Sequence, residues 1–175
     1  MSIKKDFLAP ILALSLVCLA ISGALAFTNS ITEPVIENAA KKRAEEIRSQ
    51  ILPEAEDFEP LELTGLPATV AEAYRSTNGV GYIVIAVTSG YGGDVKTIIG
   101  LTPDGSVIQS KVLEHSETKG LGSKIEEAPF ADQFTGAHKN WQGTIEGITG
   151  ATISTNAYIE AIVAALEAIE TIVAK

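Results

Sequence analysis

From Phe7 to Thr32 the chain carries no charged residue, and no other feature limits so strongly what it can fold into. A bilayer core about 30 Å thick is crossed by about 20 apolar residues in a helix, and the run from Phe7 to Phe27 meets that length. Lys4 and Lys5 precede it, while the first charges after it are Glu33 and Glu37. Positive-inside bias then predicts a cytoplasmic N-terminus and a domain on the far side of the membrane. A cleaved signal peptide is the competing expectation, because Ala24-Leu25-Ala26 resembles an A-x-A cleavage site. The apolar stretch exceeds the usual h-region of ~7–15 residues, which favours an uncleaved, single-pass anchor. Bulky Val17 argues against lipid attachment at Cys18.

The remaining composition excludes several kinds of chemistry. Cys18 is the only cysteine and lies inside the span, so no intrachain disulfide and no cysteine cluster for iron–sulfur or haem is available. His115 and His138 are the only histidines, and neither has a partner at a metal-ligand spacing, so no metal site is expected. Any redox role therefore calls for an organic cofactor. A net charge of −9 disfavours nucleic acid, whose phosphates need Lys/Arg clusters.

Residues 33–51 are rich in Ala, Glu, Lys and Arg with Val35, Ala39, Ala44 and Ile47 at near-helical spacing, so a helix is expected there. Pro34 falls in its first turn or at a kink, and Pro53 closes it. Residues 54–67 are acidic, proline-containing and aperiodic, and read as an extended connector. From Val80 the pattern becomes that of strands. Residues 80–88 form a buried-strand candidate before the turn Gly90-Tyr91-Gly92-Gly93, and residues 95–101 and 106–113 flank Thr102-Pro103-Asp104-Gly105 as a hairpin. A helical candidate spans 123–134 and a short strand 141–145. The final helix has an expected apolar face of Ile159, Ile162, Val163, Leu166, Ile169 and Val173. Runs of strand and helix without βαβ alternation predict an α+β domain with an antiparallel sheet and flanking helices.

Two constellations carry the chemical interest. Glu146-Gly147-Ile148-Thr149-Gly150-Ala151-Thr152-Ile153-Ser154-Thr155 places a hydroxyl-rich, glycine-containing turn at the start of the final helix. Unpaired N–H groups and the positive helix end favour an anion there, held non-covalently or carried on the Thr152 hydroxyl. The plain alternative is helix capping by Thr149, Thr152, Ser154 or Thr155. The second stretch is His115-Ser116-Glu117-Thr118-Lys119-Gly120-Leu121-Gly122, whose glycines permit a tight loop able to line a phosphate or a flat ring. No nucleophile accompanies its His and Glu, so no catalytic residue is assigned.

Thr149-Gly150-Ala151-Thr152, with an acidic residue three positions before its first Thr, resembles the flavinylation motif of FMN-binding domains. His115–Gly122 is similar to the His-x-Glu-Thr-Pro-Gly-Leu-Gly segment of the same domains. Tyr91-Gly92-Gly93, Leu113-Glu114-His115, Gln133-Phe134-x-Gly136, Thr32-x-Pro34 and Ile51-Leu52-Pro53 fall in matching order. The resemblance thus covers nearly the whole chain and comes closest to the G subunits of Rnf-type ion-translocating oxidoreductase complexes. It implies FMN joined through its phosphate to Thr152 and installed from FAD by a flavin transferase. Thr149, Gly150, Ala151, Ser154 and Thr155 would shape the tether, Glu117, Thr118, Gly120, Leu121 and Gly122 would line the flavin, and Lys124 would offer charge to the phosphate.

The implied organisation is residues 1–6 cytoplasmic, 7–29 transmembrane, 30–67 juxtamembrane helix and connector, and 68–175 an extracytoplasmic FMN-binding domain. The implied role is electron transfer in a bacterial or archaeal cell membrane. Expected partners are other membrane and redox subunits, including a second flavinylated subunit and iron–sulfur subunits. Two positions depart from the family pattern: Glu146 stands for the usual Asp, and Lys119 for the usual Pro. The alternatives are the C subunit of a Na⁺-translocating NADH–quinone reductase, usually longer, another flavinylated carrier, or an anchored binding module without redox function.

Overall fold

The computed structural model describes residues 3–140 and 143–174, and the chain divides into two compact units after Ala44. The first unit is helical, within α1 (Ile3–Ile51). Its stretch Pro10–Ile36 is long and apolar enough to cross a membrane, with a mean hydropathy of 2.3. Leu12, Leu16, Leu19, Leu25 and Phe27 are all exposed along it, as lipid-facing side chains must be. Thr28 and Thr32 donate their hydroxyls to the carbonyls of Ala24 and Thr28 at 2.9 Å, so these polar groups are satisfied within the helix. Pro34 lies inside α1, not in the first turn of a separate helix, and the helix continues to Ile51.

The second unit is built on a five-stranded antiparallel meander in the order β1-β2-β3-β4-β5: Phe58–Pro60, Val70–Ser76, Tyr82–Ser89, Asp94–Leu101 and Val107–Glu114. Strands β3 and β4 pair over their full lengths, from Tyr82 opposite Leu101 to Ser89 opposite Asp94. In the β4–β5 turn the Thr102 hydroxyl accepts from the Ser106 N–H at 2.9 Å, and Gly105 supplies a φ of 84°. β1 adds a short edge inside the stretch expected to be a connector, and β2 lies where no strand was expected. Strand β2, Val70-Ala71-Glu72-Ala73-Tyr74-Arg75-Ser76, is rich in residues of low strand preference. It is ordered by its two neighbours, since it pairs with β1 on one side and β3 on the other.

The sheet is buried on both faces. Along β3 the side chains alternate: Ile83 and Ile85 face one cluster, Val84 and Ala86 the other. The first cluster adds Ile98 of β4, with Ile47, Ile51 and Leu52 from the end of α1 and just beyond. There Arg48 stacks its guanidinium 4.3 Å from the centre of the Tyr74 ring. The approach is close enough that a Cβ on Gly100 would collide with the Ile51 side chain.

The opposite face is covered by α3 (Thr152–Val173) and by the stretch expected to be one helix near 123–134. That stretch is broken into a 3₁₀ helix at Gly122–Glu126, α2 (Ala128–Ala131) and a 3₁₀ turn at Asp132–Phe134, with Pro129 at the start of α2 where a missing N–H costs nothing. Helix α3 is rotated from its expected face. Ile162 and Ile169 are buried, but Val163 and Val173 are exposed, and Ala157, Ala161, Ala164, Ala165 and Ala168 meet the core. Small side chains let the helix lie close to the sheet, where the Thr88 hydroxyl donates to the Ala157 carbonyl at 2.9 Å. Tyr158 fills the space near the helix start, packing against Phe130 and Phe134 at 5.2 Å and donating to the Ser110 hydroxyl at 2.7 Å. Burial pushes its phenol up to about 12. Of the strand expected at 141–145, Trp141 and Gln142 lie outside the described residues, and 143–145 have no regular structure.

Ile51→Ala should destabilise the sheet domain by about 2–4 kcal/mol through the cavity it leaves, and Gly100→Ala should also destabilise it by overpacking. The double variant should cost less than the sum, because the cavity receives the added methyl. Thermal melts of the four proteins measure this coupling, and strict additivity would refute the contact.

Candidate flavin site

A cleft of about 500 Å³ opens where three segments meet: the β3–β4 turn, the 115–122 loop and the first turn of α3. Tyr91, Leu121 and Ile153 form a contiguous exposed apolar rim. Thr118, Gly122, Gly150 and Ala151 contribute its smaller surfaces, and Glu117, Thr152 and Ser154 its polar ones. The volume lies in the range that holds a small molecule or cofactor.

Glu117 joins the three segments. One carboxylate oxygen accepts from the Gly92 N–H at 3.1 Å and the other from the Ser154 hydroxyl at 2.6 Å. The side chain is buried, with 8% of its surface exposed. Burial works against its charged form, but the hydrogen bonds from Ser154, Gly92 and Tyr91, with His115 nearby, outweigh it and hold the carboxyl below its ordinary range. Glycine is required around this group. A Cβ on Gly90 or Gly122 would strike the carboxylate, and one on Gly92 would strike the Ser116 carbonyl. His115 accepts from the Glu117 N–H on Nδ1 at 3.0 Å and places Nε2 3.4 Å from Glu126, which fixes the loop from its other side.

The hydroxyls at the start of α3 divide by role. Ala151 is the N-cap, with no side-chain cap, so the capping expected of the hydroxyls is not what starts the helix. Thr155 is buried and its hydroxyl accepts from the Ile148 N–H at 3.1 Å, while Ser154 is buried against Glu117. Thr152 is exposed on the cleft, and its hydroxyl makes no hydrogen bond among the described residues. The first backbone N–H to close a helical bond is that of Thr155, onto the Ala151 carbonyl at 2.9 Å. The N–H groups of Thr152, Ile153 and Ser154 therefore remain available at the positive helix end. Gly150 turns the chain into this helix with a φ of 80°, against the Leu121 side chain.

Of the residues expected at the site, Glu117, Thr118, Leu121, Gly122, Gly150, Ala151, Thr152 and Ser154 come together on the cleft. Thr149, Gly120, Thr155 and Lys124 do not line it. Gly120 instead shapes the loop with a φ of 76°, and Lys124 is exposed on the 3₁₀ helix. Tyr91 and Ile153 were absent from the expected set, although the exposed apolar residue in each motif was the available signal. The segment leading to Thr152 is held by Gln133, whose amide accepts from the Glu146 N–H at 2.7 Å and donates to the Glu146 carbonyl at 3.3 Å.

A sequence profile of the FMN-binding domain matches residues 90–167, which contain the entire cleft. The chain is 31% identical to the G subunit of the ion-translocating oxidoreductase complex of Shewanella piezotolerans, covering 91% of this chain and 87% of that one. It belongs to the G-subunit family of ion-translocating oxidoreductase complexes. The G subunit of the Na⁺-translocating ferredoxin:NAD⁺ oxidoreductase complex of Acetobacterium woodii is 32% identical over 77% of each chain. Among solved structures, the NqrC of Shewanella oneidensis superposes with a TM-score of 0.50 over 59% of each chain at 16% identity, a likeness of fold. With this membership and the span in α1, the chain is a single-pass membrane subunit of an oxidoreductase complex that binds FMN. The site fits that cofactor: an apolar rim suits a flat ring, and uncapped N–H groups suit a phosphate.

Glu117→Gln should lower stability on the order of 2 kcal/mol near neutral pH by replacing an acceptor of charged hydrogen bonds. Because the folded pKa of Glu117 lies below its unfolded value of ~4.3, its contribution is present above that value and is lost as pH falls through the folded one. The melting-temperature gap between wild type and variant should therefore narrow on acidification below about pH 4. A gap independent of pH would show that the charge contributes nothing.

Proposed function

We propose that the chain carries FMN joined by a phosphodiester to the Thr152 hydroxyl and acts as a membrane-anchored electron relay in an Rnf-type complex. The observation that carries the attachment site is the state of Thr152. Among the four hydroxyl residues of the motif it alone combines exposure, a place on the cleft and an uncommitted hydroxyl. A phosphate bonded there would sit against the free N–H groups of the first helical turn, and the ring would reach the rim of Tyr91, Leu121 and Ile153. FMN supplies one- and two-electron transfer when bound. The residues around it would position the ring and offer N–H groups to the phosphate, and the covalent bond would prevent loss of the cofactor.

In this proposal the charges at Lys4 and Lys5 hold the N-terminus in the cytoplasm and the flavin domain works outside the membrane. A separate flavin transferase attaches the cofactor, and the Gln133 clamp presents the segment it must read. Other subunits, among them a second flavinylated one and iron–sulfur subunits, exchange electrons with the ring. The complex couples electron flow between ferredoxin and NAD to movement of Na⁺ or H⁺.

Thr152→Ala should abolish covalent flavin while leaving the melting temperature nearly unchanged, since this side chain is exposed and unbonded. Intact mass after co-expression with a flavin transferase should show wild type heavier by one FMN less water, with the label on the peptide containing Thr152. An unmodified wild type, with the transferase active on another substrate, would overturn the attachment. Gln133→Leu should slow attachment several-fold in a time course of in-gel flavin fluorescence, through loss of both bonds to Glu146. An unchanged rate would remove Gln133 from this role.

A further inference from the structure

We propose that the Glu117 carboxylate is a fixed negative charge in the wall of the flavin cleft that holds the reduction potential of the bound flavin low. The inference rests on the FMN reading above and assigns to Glu117 a role other than direct contact. Its two oxygens are already occupied by the Gly92 N–H and the Ser154 hydroxyl, yet the residue borders the cleft. With 8% of its surface exposed, the carboxylate is partly shielded from water in the cleft wall.

Among the described residues no Lys or Arg forms an ion pair with it. His115 on its own loop is committed to the Glu117 N–H and to Glu126 of the 3₁₀ helix. Lys119 on the loop, Lys124 on that helix and Asp94 at the start of β4 are exposed. Glu114, at the end of β5, is exposed as well, and the first turn of α3 carries no charged side chain. The carboxylate is held by hydrogen bonds from Ser154, Gly92 and Tyr91, with His115 nearby, and has no ion-pair partner among the described residues.

Full reduction of FMN takes two electrons from a donor, which is oxidised, and one or two protons from water. When only one proton is taken up, the ring gains a net negative charge. A nearby fixed anion opposes that gain, so it lowers the potential and favours uptake of the second proton.

The test is a redox titration of the flavinylated full chain with dithionite and mediators, repeated across pH, for wild type and Glu117→Gln. The charge role predicts a higher midpoint potential in the variant. It also predicts that the change from two protons to one per two electrons moves to lower pH. Flavinylated Glu117→Gln with the wild-type potential and the wild-type proton count would overturn the proposal. A colourless, unmodified wild type would instead overturn the FMN reading. Ser154→Ala separates charge from packing: it removes a dipole from the carboxylate and keeps the charge, so its potential should be no higher than wild type. A rise in Ser154→Ala would assign the effect to loosened packing and refute the charge, and this arm stands even if Glu117→Gln fails to fold.

Discussion

A buried carboxylate without an ion-pair partner among the described residues is costly, and the sheet domain has arranged a large share of its local structure around one. Glu117 reaches into a space cleared by the missing side chains of Gly90 and Gly122, and takes hydrogen bonds from the turn before β4 and from the first turn of α3. Removing any one of these partners takes a hydrogen bond from a buried charge and costs stability. The loop, the turn and the helix start are thus mutually dependent, and the cleft between them exists because they converge on the same group.

Alanines set the distance at which this convergence is possible. Helix α3 lies against β3 and β4 through Ala157, Ala161, Ala164, Ala165 and Ala168, with Tyr158 as the large side chain that fixes its depth. The Thr88 hydroxyl bond to the Ala157 carbonyl is available only at such a close approach. Larger side chains along that stripe would lift the helix and carry Ser154 away from Glu117. The rest of the core therefore bears on the site through the height of one helix above the sheet.

The elements legible in the sequence were those with local causes. The membrane span follows from an uninterrupted apolar run, and the β4–β5 hairpin from Pro103 and Gly105. The cleft loops follow from glycines whose need is now visible as positive φ at Gly120 and Gly150 and as contact at Gly122. What stayed hidden had non-local causes. Strand β2 has Ala, Glu and Arg at positions that only pairing on both sides makes extended. The buried face of α3 differs from the expected one because large apolar residues outweigh alanines in any hydropathy pattern, while close packing selects the alanines. Tyr91 is legible as part of a turn but not as a site residue, since its place on the cleft depends on the fold of a loop more than twenty residues away in sequence.

The division among the hydroxyls at the start of α3 has a consequence for chemistry. Four hydroxyl residues near a helix start are more than capping needs, and the cap itself is Ala151, which has none. Ser154 and Thr155 are spent on holding the neighbouring segments in place, so neither oxygen is free to act as a nucleophile. Thr149 is exposed but lies off the cleft. Thr152 is left as a hydroxyl without a structural duty, at the point where the helix N–H groups converge and an apolar rim begins. A position whose side chain supports nothing in the fold can be modified without cost to it. The same division separates two duties: Glu117 and Ser154 hold the walls of the cleft together, and Thr152 is left uncommitted upon it.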